Sequence, residues 1–407
     1  MKLKGMAMAA ALLACSGGAY AQSAVTLYGV IDAGLEFVNH AAPFSSTNAG
    51  AAYLANPGTG NNVYRLNSGG LSGSRWGLRG TEDLGGGLKS VFVLESGFSV
   101  DNGTMQQSSR LFGRQAFVGL SHSTFGQVTL GRQYTSLFAA MANFMPTAYA
   151  TQYEPAAFMA GNNFREDNTV AYTGAFGPFT ALAHFSFGAG VPSLPLGTIP
   201  PATQAIGGAN GETPGAFRRD NAFGVAGVYS AGPFGAAIAY DQWNPSINNL
   251  AGTPTGSTAT LKKASIAGSY AIGQVAKIMA GYRWGEANNH STGNQLQRDD
   301  YYWIGANYQV TPAVGLTLEY DYDNLKRDYS GNTHAANPWQ VAFVADYTFS
   351  KRTDVYLSAA YAKNAGLTLD SANINQLATT GATGNSYILG NGQSNMLGVS
   401  VGLRHKF

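Results

Sequence analysis

Apolar and polar residues alternate along this chain in short segments, and no mature stretch is uniformly apolar over a helix length. From Arg75 to Arg79, Arg75, Gly77 and Arg79 share one face of an extended strand, and Trp76 and Leu78 share the other. A turn-like TEDLGGG follows. Lys89, Val91, Val93 and Glu95 then alternate with Leu88, Ser90, Phe92 and Leu94. A period of two is the signature of a strand with two unlike faces.

The rhythm predicts strands near 25–36, 72–82, 88–98, 112–121, 125–133, 168–176, 178–187 and 220–231. It continues near 233–243, 261–272, 275–286, 299–310, 313–324, 338–350, 353–364 and 395–407. Short connections rich in turn residues, such as Gly85-Gly86-Gly87, Gly177-Pro178 and Gly232-Pro233, alternate with long ones at 37–71, 99–111, 134–167, 188–219, 244–260, 287–298, 325–337 and 365–394. Sixteen strands with short turns at one end and long loops at the other describe a closed antiparallel transmembrane β-barrel. The last segment fits a closing strand. Leu397, Val399, Val401, Leu403, His405 and Phe407 lie on one face, and the chain ends on that aromatic.

Composition narrows the picture. Charged residues are 11% of the chain, yet mean hydropathy is near zero, with 53 Gly, 22 Tyr and 21 Phe. Such a chain is neither a helical membrane protein nor disordered. The N-terminus carries Lys2 and Lys4, an apolar run from Met6 to Ala14, and the A-x-A sequence Ala19-Tyr20-Ala21. We expect residues 1–21 to be a cleaved export signal and 22–407 a single barrel domain. The rival is acylation at Cys15 within Leu12-Leu13-Ala14-Cys15. Cleavage after Ala21 removes two of the 24 basic residues and leaves the 22 acidic ones, so the mature charge is about zero and no nucleic-acid partner is expected. It also removes the only cysteine.

No enzyme or cofactor signature stands out. Gly398-Val399-Ser400-Val401-Gly402 has the spacing of a hydrolase elbow, but the chain remaining after Gly402 leaves no room for the helix that must follow. The six histidines show no metal-ligand spacing. Glu319, Asp321 and Asp323 alternate on one face and read as a solvated lumen surface.

Several stretches together resemble one family, the trimeric general porins of Gram-negative bacteria in their β-proteobacterial form. They are Ser23–Asp32 (SAVTLYGVID), SRWGLRGTEDLGGGL (74–88), FVLESGF (92–98), RQAFVGLS (114–121), FGQVTLGRQ (125–133) and the terminal LRHKF. The resemblance covers nearly the whole mature chain. It implies a sixteen-stranded homotrimeric outer-membrane barrel for passive diffusion of ions and small hydrophilic solutes. Outer-membrane lipid, lipopolysaccharide and the assembly machinery are its implied partners, and Phe407 its assembly signal. A solute-specific channel for anions, dicarboxylates or sugars is the alternative.

In such a barrel the apolar face meets lipid and the polar face meets a watery lumen. Arg75, Arg79 and Arg114 then point inward, because each would cost roughly 2–4 kcal/mol facing lipid at the midplane. Lys89 and Glu95 share their side, and Asp32 lines the first strand. The resemblance implies that loop 134–167 folds into the lumen as a constriction. The acid-bearing Pro-Glu-Phe-Gly motif of enterobacterial relatives is missing there. A further wall arginine of those relatives aligns with Thr173, with Arg165 close by as a substitute. The expected constriction is Arg75, Arg79, Arg114 and Arg165 against Glu95 and Glu154, with a preference for anions. Arg132 is expected to anchor the loop or reach headgroups.

Overall fold

The computed structural model describes residues 24–42, 58–148, 150, 152–155, 161–190, 194–196, 204–206, 212, 214–249, 254–328, 333–334, 336–369 and 387–407. The expected export signal and Cys15 lie outside the described residues.

The strands, in order, are β1 (Ala24–Ala41), β2 (Asn61–Ser68), β3 (Arg75–Gly85), β4 (Leu88–Gly97), β5 (Gln115–His122), β6 (Gly126–Tyr134) and β7 (Arg165–Phe176). Next come β8 (Phe179–Ser186), β9 (Leu194–Leu196), β10 (Gln204–Ile206), β11 (Ala222–Ala231), β12 (Phe234–Trp243), β13 (Ser246–Asn249) and β14 (Pro254–Ile272). The last are β15 (Ala276–Asn289), β16 (Gln295–Thr311), β17 (Val314–Arg327), β18 (Trp339–Thr348), β19 (Thr353–Lys363) and β20 (Asn395–Lys406). Strands β9, β10 and β13 form a small ribbon in the long loops, attached to the start of β14. Sixteen of the others make one antiparallel wall, and each expected segment coincides with one of them.

The wall closes because β1 pairs on both edges. It runs against β20 from Val30↔Lys406 to Val38↔Gly398, and against β3 from Ala24↔Thr81 to Val30↔Arg75. Phe407 and Gly29 exchange two backbone hydrogen bonds of 3.1 Å at the seam. Closure leaves no open edge of unpaired donors and acceptors, which lipid would not tolerate. No described helix is long and apolar enough to cross a membrane.

The pleat sorts the side chains. On β12, Ile238 is 62% exposed on the outer surface, while Ala237 and Ala239 are 2% and 8% exposed on the inner one. Leu27, Val118, Leu130, Val225, Ile266, Ile304 and Val401 join Ile238 in an outward apolar band, as lipid contact demands.

Strand β2 was not expected. It continues the ribbon of β3 and pairs with the far half of β1, from Ala33↔Ser68 to Ala41↔Asn61. Between β2 and β3 the chain breaks step at Gly69–Ser74 and wraps the Asp32 carboxylate. Gly70, Leu71 and Ser72 donate their N–H groups to it at 3.1, 2.9 and 2.8 Å, and the Tyr356 hydroxyl donates at 2.7 Å. Asp32 is fully buried. This corrects the expectation that it lines the pore: its oxygens hold the interrupted strand together instead of facing water.

Candidate functional site: the charged lumen wall and its loop

The segment after β6 folds inward. Thr135 caps the short helix Ser136–Met141, its hydroxyl accepting from the Phe138 N–H. Leu137, Met141, Phe144 and Met145 then pack on Ala237, Ala239, Ala267, Tyr301 and Trp303 of the inner wall. Alanines leave room there for the large side chains of the loop, so the fit is close. Polar contacts fix the loop along its path. Trp303 Nε1 donates to the Phe144 carbonyl at 2.8 Å, Asn307 Nδ2 to that of Pro146 at 2.8 Å, and Lys277 Nζ to that of Asn143 at 2.6 Å. Farther on, Gln340 Nε2 donates to the Tyr153 carbonyl at 2.8 Å and the Tyr153 hydroxyl donates to Glu36 at 2.8 Å. The loop therefore leaves the wall at β6, crosses β12 and β14–β17, and reaches β18 and β1.

The side it leaves uncovered, β3–β7 and the first half of β1 that pairs with β3, carries the arginines. Glu95 on β4 is their hub. Its Oε1 accepts from Arg114 Nε at 2.7 Å, its Oε2 accepts from the Tyr28 hydroxyl at 2.9 Å, and Arg75 Nε lies 3.8 Å away. Tyr134, at the end of β6, is a second hub: its hydroxyl accepts from Arg114 Nη2 at 3.1 Å and from Arg165 Nη2 at 2.9 Å. The ring of Tyr134 also stacks on Phe138, centroids 5.0 Å apart, so the arginine wall braces the root of the loop. Arg79 is exposed, its guanidinium 5.2 Å from the Tyr28 ring centroid. Among the described residues no carboxylate forms an ion pair with Arg79 or Arg165.

The sequence-derived set is thus partly brought together. Arg75, Arg79, Arg114, Arg165 and Glu95 form one contiguous wall. Lys89 stands apart toward the short-turn end, exposed and paired in register with Asp83. Glu154 departs from expectation. It is fully buried behind the loop beside Glu319 and Tyr301, so it offers no carboxylate opposite the arginines. The expected solvated face of Glu319, Asp321 and Asp323 is overturned too: all three are fully buried. Thr147 of the loop donates its N–H and hydroxyl to Glu319 at 3.3 and 3.0 Å, and Tyr301 of the neighbouring wall strand donates to Asp321.

Sequence reasoning missed Tyr134 as a hub and the pairing of Arg65 with Glu36, which also accepts from the Tyr387 hydroxyl at 2.8 Å. It missed the partner of Arg132 as well. Arg132 Nη1 and Arg110 Nη1 both donate to Asp167, each at 2.7 Å in its shorter contact. A register shift between Gly131 and Gln133 turns Arg132 away from the lipid-facing position its parity implied. A tyrosine at the junction of a strand and an apolar loop was the available signal for Tyr134. Nothing local in the sequence signals the contacts of Arg65.

Comparison with known proteins agrees with this geometry. A family model for Gram-negative porins matches residues 7–367. An outer membrane porin protein of Bordetella pertussis is 31% identical over 387 residues, covering 89% of this chain and 95% of that protein. Outer membrane porin protein 32 of Delftia acidovorans is 29% identical over the whole length of both chains. Among solved structures, an anion-selective porin from Comamonas acidovorans superposes with a TM-score of 0.69 at 25% identity, covering 95% of this chain and 100% of that one. With this fold and this extent of match, the chain belongs to the Gram-negative porin family and is a channel of the outer membrane, not an enzyme.

Proposed function

We propose that the chain forms a water-filled, anion-preferring channel for passive diffusion of ions and small hydrophilic solutes, with Arg75, Arg79, Arg114 and Arg165 as its selective wall. One observation carries this reading: among the described residues Glu95 is the only carboxylate in contact with those four arginines, and Glu154, Glu319, Asp321 and Asp323 are fully buried. A charge about 8 Å from an ion is worth about 0.5 kcal/mol in bulk water and about 2 kcal/mol at an effective dielectric of 20. Two arginines without an acid partner therefore bias anions over cations by about tenfold or more. The selectivity named for the porin from Comamonas acidovorans supports the same sign.

In this reading residues 1–21 are removed on export and 22–407 form one barrel. The barrel assembles as a homotrimer among outer-membrane lipid and lipopolysaccharide, and Phe407 is recognised by the assembly machinery. Lys89 lies on the path of the solute rather than at its narrowest point.

The test is the zero-current potential of the purified porin in a planar bilayer under a potassium chloride gradient. The expected sign is that of chloride preference, reduced in an Arg79→Ala/Arg165→Ala variant. A potassium-selective potential in the unmodified protein refutes the proposal.

A further inference from the structure

A carboxylate–imidazole cluster lies at the root of the lumen loop. Glu166 on β7, His184 on β8 and Asp241 on β12 meet there with their side chains buried. Glu166 Oε2 lies 3.2 Å and Asp241 Oδ1 4.0 Å from His184 Nε2, and one donor atom from each residue lies within 4.8 Å of the others. The loop orients both carboxylates from behind. Asn163 Nδ2 donates to Glu166 Oε1 at 3.1 Å, and the Asn162 N–H donates to Asp241 Oδ2 at 2.9 Å. The two inward oxygens and His184 Nε2 have no hydrogen-bond partner of sound geometry among the described residues. Two buried carboxylates converging on one imidazole nitrogen repel each other and are costly to bury unless a cation joins them.

We propose that Glu166, His184 and Asp241 bind a divalent transition-metal ion of the zinc class, which pins both roots of the loop to the barrel wall. One imidazole nitrogen and two carboxylate oxygens suit such an ion, whereas calcium and magnesium favour shells made of oxygen alone. Bonds of about 2.1 Å meeting at a tetrahedral angle hold their donor atoms about 3.4 Å apart. The separations of 3.2 and 4.0 Å around His184 Nε2 straddle that spacing. The ion also neutralises the facing carboxylates.

Occupancy acts on the loop itself. Ser136, the first residue of the loop helix, places its N–H 3.0 Å and its hydroxyl 2.9 Å from His184 Nδ1. A metal on Nε2 takes that lone pair and leaves the ring proton on Nδ1, where the Ser136 hydroxyl accepts it. The Ser136 N–H then gives up its contact, and the start of the helix adjusts.

The test uses the folded full-length porin in detergent, equilibrated with zinc chloride, desalted and counted for metal by mass spectrometry. The expected result is about one zinc per chain in the unmodified protein, falling at least tenfold in His184→Ala and Asp241→Asn. Folding of each variant is checked by the heat-dependent shift in gel mobility. If neither variant folds, X-ray absorption of zinc on the unmodified protein decides, one imidazole with carboxylate oxygens being the expected shell. Less than a tenth of a zinc per chain in the unmodified protein overturns the proposal. So does equal retention in a folded variant, or a shell lacking imidazole.

Discussion

Replacing Glu95 by glutamine isolates its effect on selectivity. The amide keeps the shape of the carboxylate. Its oxygen can still accept from Arg114, and its NH₂ can donate to the Tyr28 hydroxyl oxygen, groups that now meet the carboxylate at 2.7 and 2.9 Å. What disappears is the one negative charge in contact with the arginine wall among the described residues. An ion passing about 8 Å away feels that change as about 0.5 kcal/mol in bulk water, with opposite signs for anion and cation. The difference of about 1 kcal/mol is about a fivefold gain in anion preference, and a drier lumen enlarges it. Salt supplies an internal control. The Debye length is about 30 Å at 0.01 M but about 3 Å at 1 M, so the gain should be large in dilute potassium chloride and nearly vanish in concentrated solution. The assay is the zero-current potential of single channels across both gradients, with conductance recorded alongside. An unchanged potential in dilute salt, or a shift toward cations, refutes the view that Glu95 tempers the wall.

Three further perturbations test the architecture. A methyl group on Gly402 would sit 2.2 Å from the Tyr356 ring, which the Asp32 bond holds in place; Gly402→Ala should cost about 1–3 kcal/mol, read from the temperature at which the folded gel band is lost, and an unchanged temperature contradicts it. Ile238→Arg places a charge in the outward apolar band and should destabilise the barrel by about 2–4 kcal/mol near the midplane in lipid-vesicle unfolding; a neutral outcome would mean that this position does not face hydrocarbon. Trp303→Phe removes the 2.8 Å bond to the Phe144 carbonyl and leaves a buried acceptor unmet, a loss of about 1–3 kcal/mol. It should raise open-channel noise through a looser loop, and noise equal to that of the unmodified protein argues against this anchorage.

The barrel was legible because its signal is local. Each of the sixteen expected strands announces itself by a two-residue period, and the inward parity of Arg75 and Arg79 follows from Trp76 and Leu78 beside them. What depends on distant pairing was not legible. Glu154 reads as a lone acid on a constricting loop, and only the loop's path onto Tyr301 and Glu319 removes it from the lumen. Asp32 has the parity of a lining residue, yet the break at Gly69–Ser74 surrounds it with amides. His184 has no ligand partners nearby in sequence; the registers of β7, β8 and β11–β12 bring Glu166 and Asp241 to it. Inward alanines such as Ala237, Ala239 and Ala267 were visible in the sequence, but their meaning appears only once Leu137 and Phe144 rest on them.

That alanine landing ground has a consequence for how such channels diversify. Because the loop is seated on β12 and β14–β17 while the arginines project from the β3–β7 side, the two jobs occupy separate arcs of the cylinder. Charge at Arg75 and Arg79 can be rewritten without unseating the plug that sets the bore, whereas Arg114 and Arg165 brace its root through Tyr134. A lineage, or an engineer, can therefore alter which ions pass while leaving the size of what passes almost untouched.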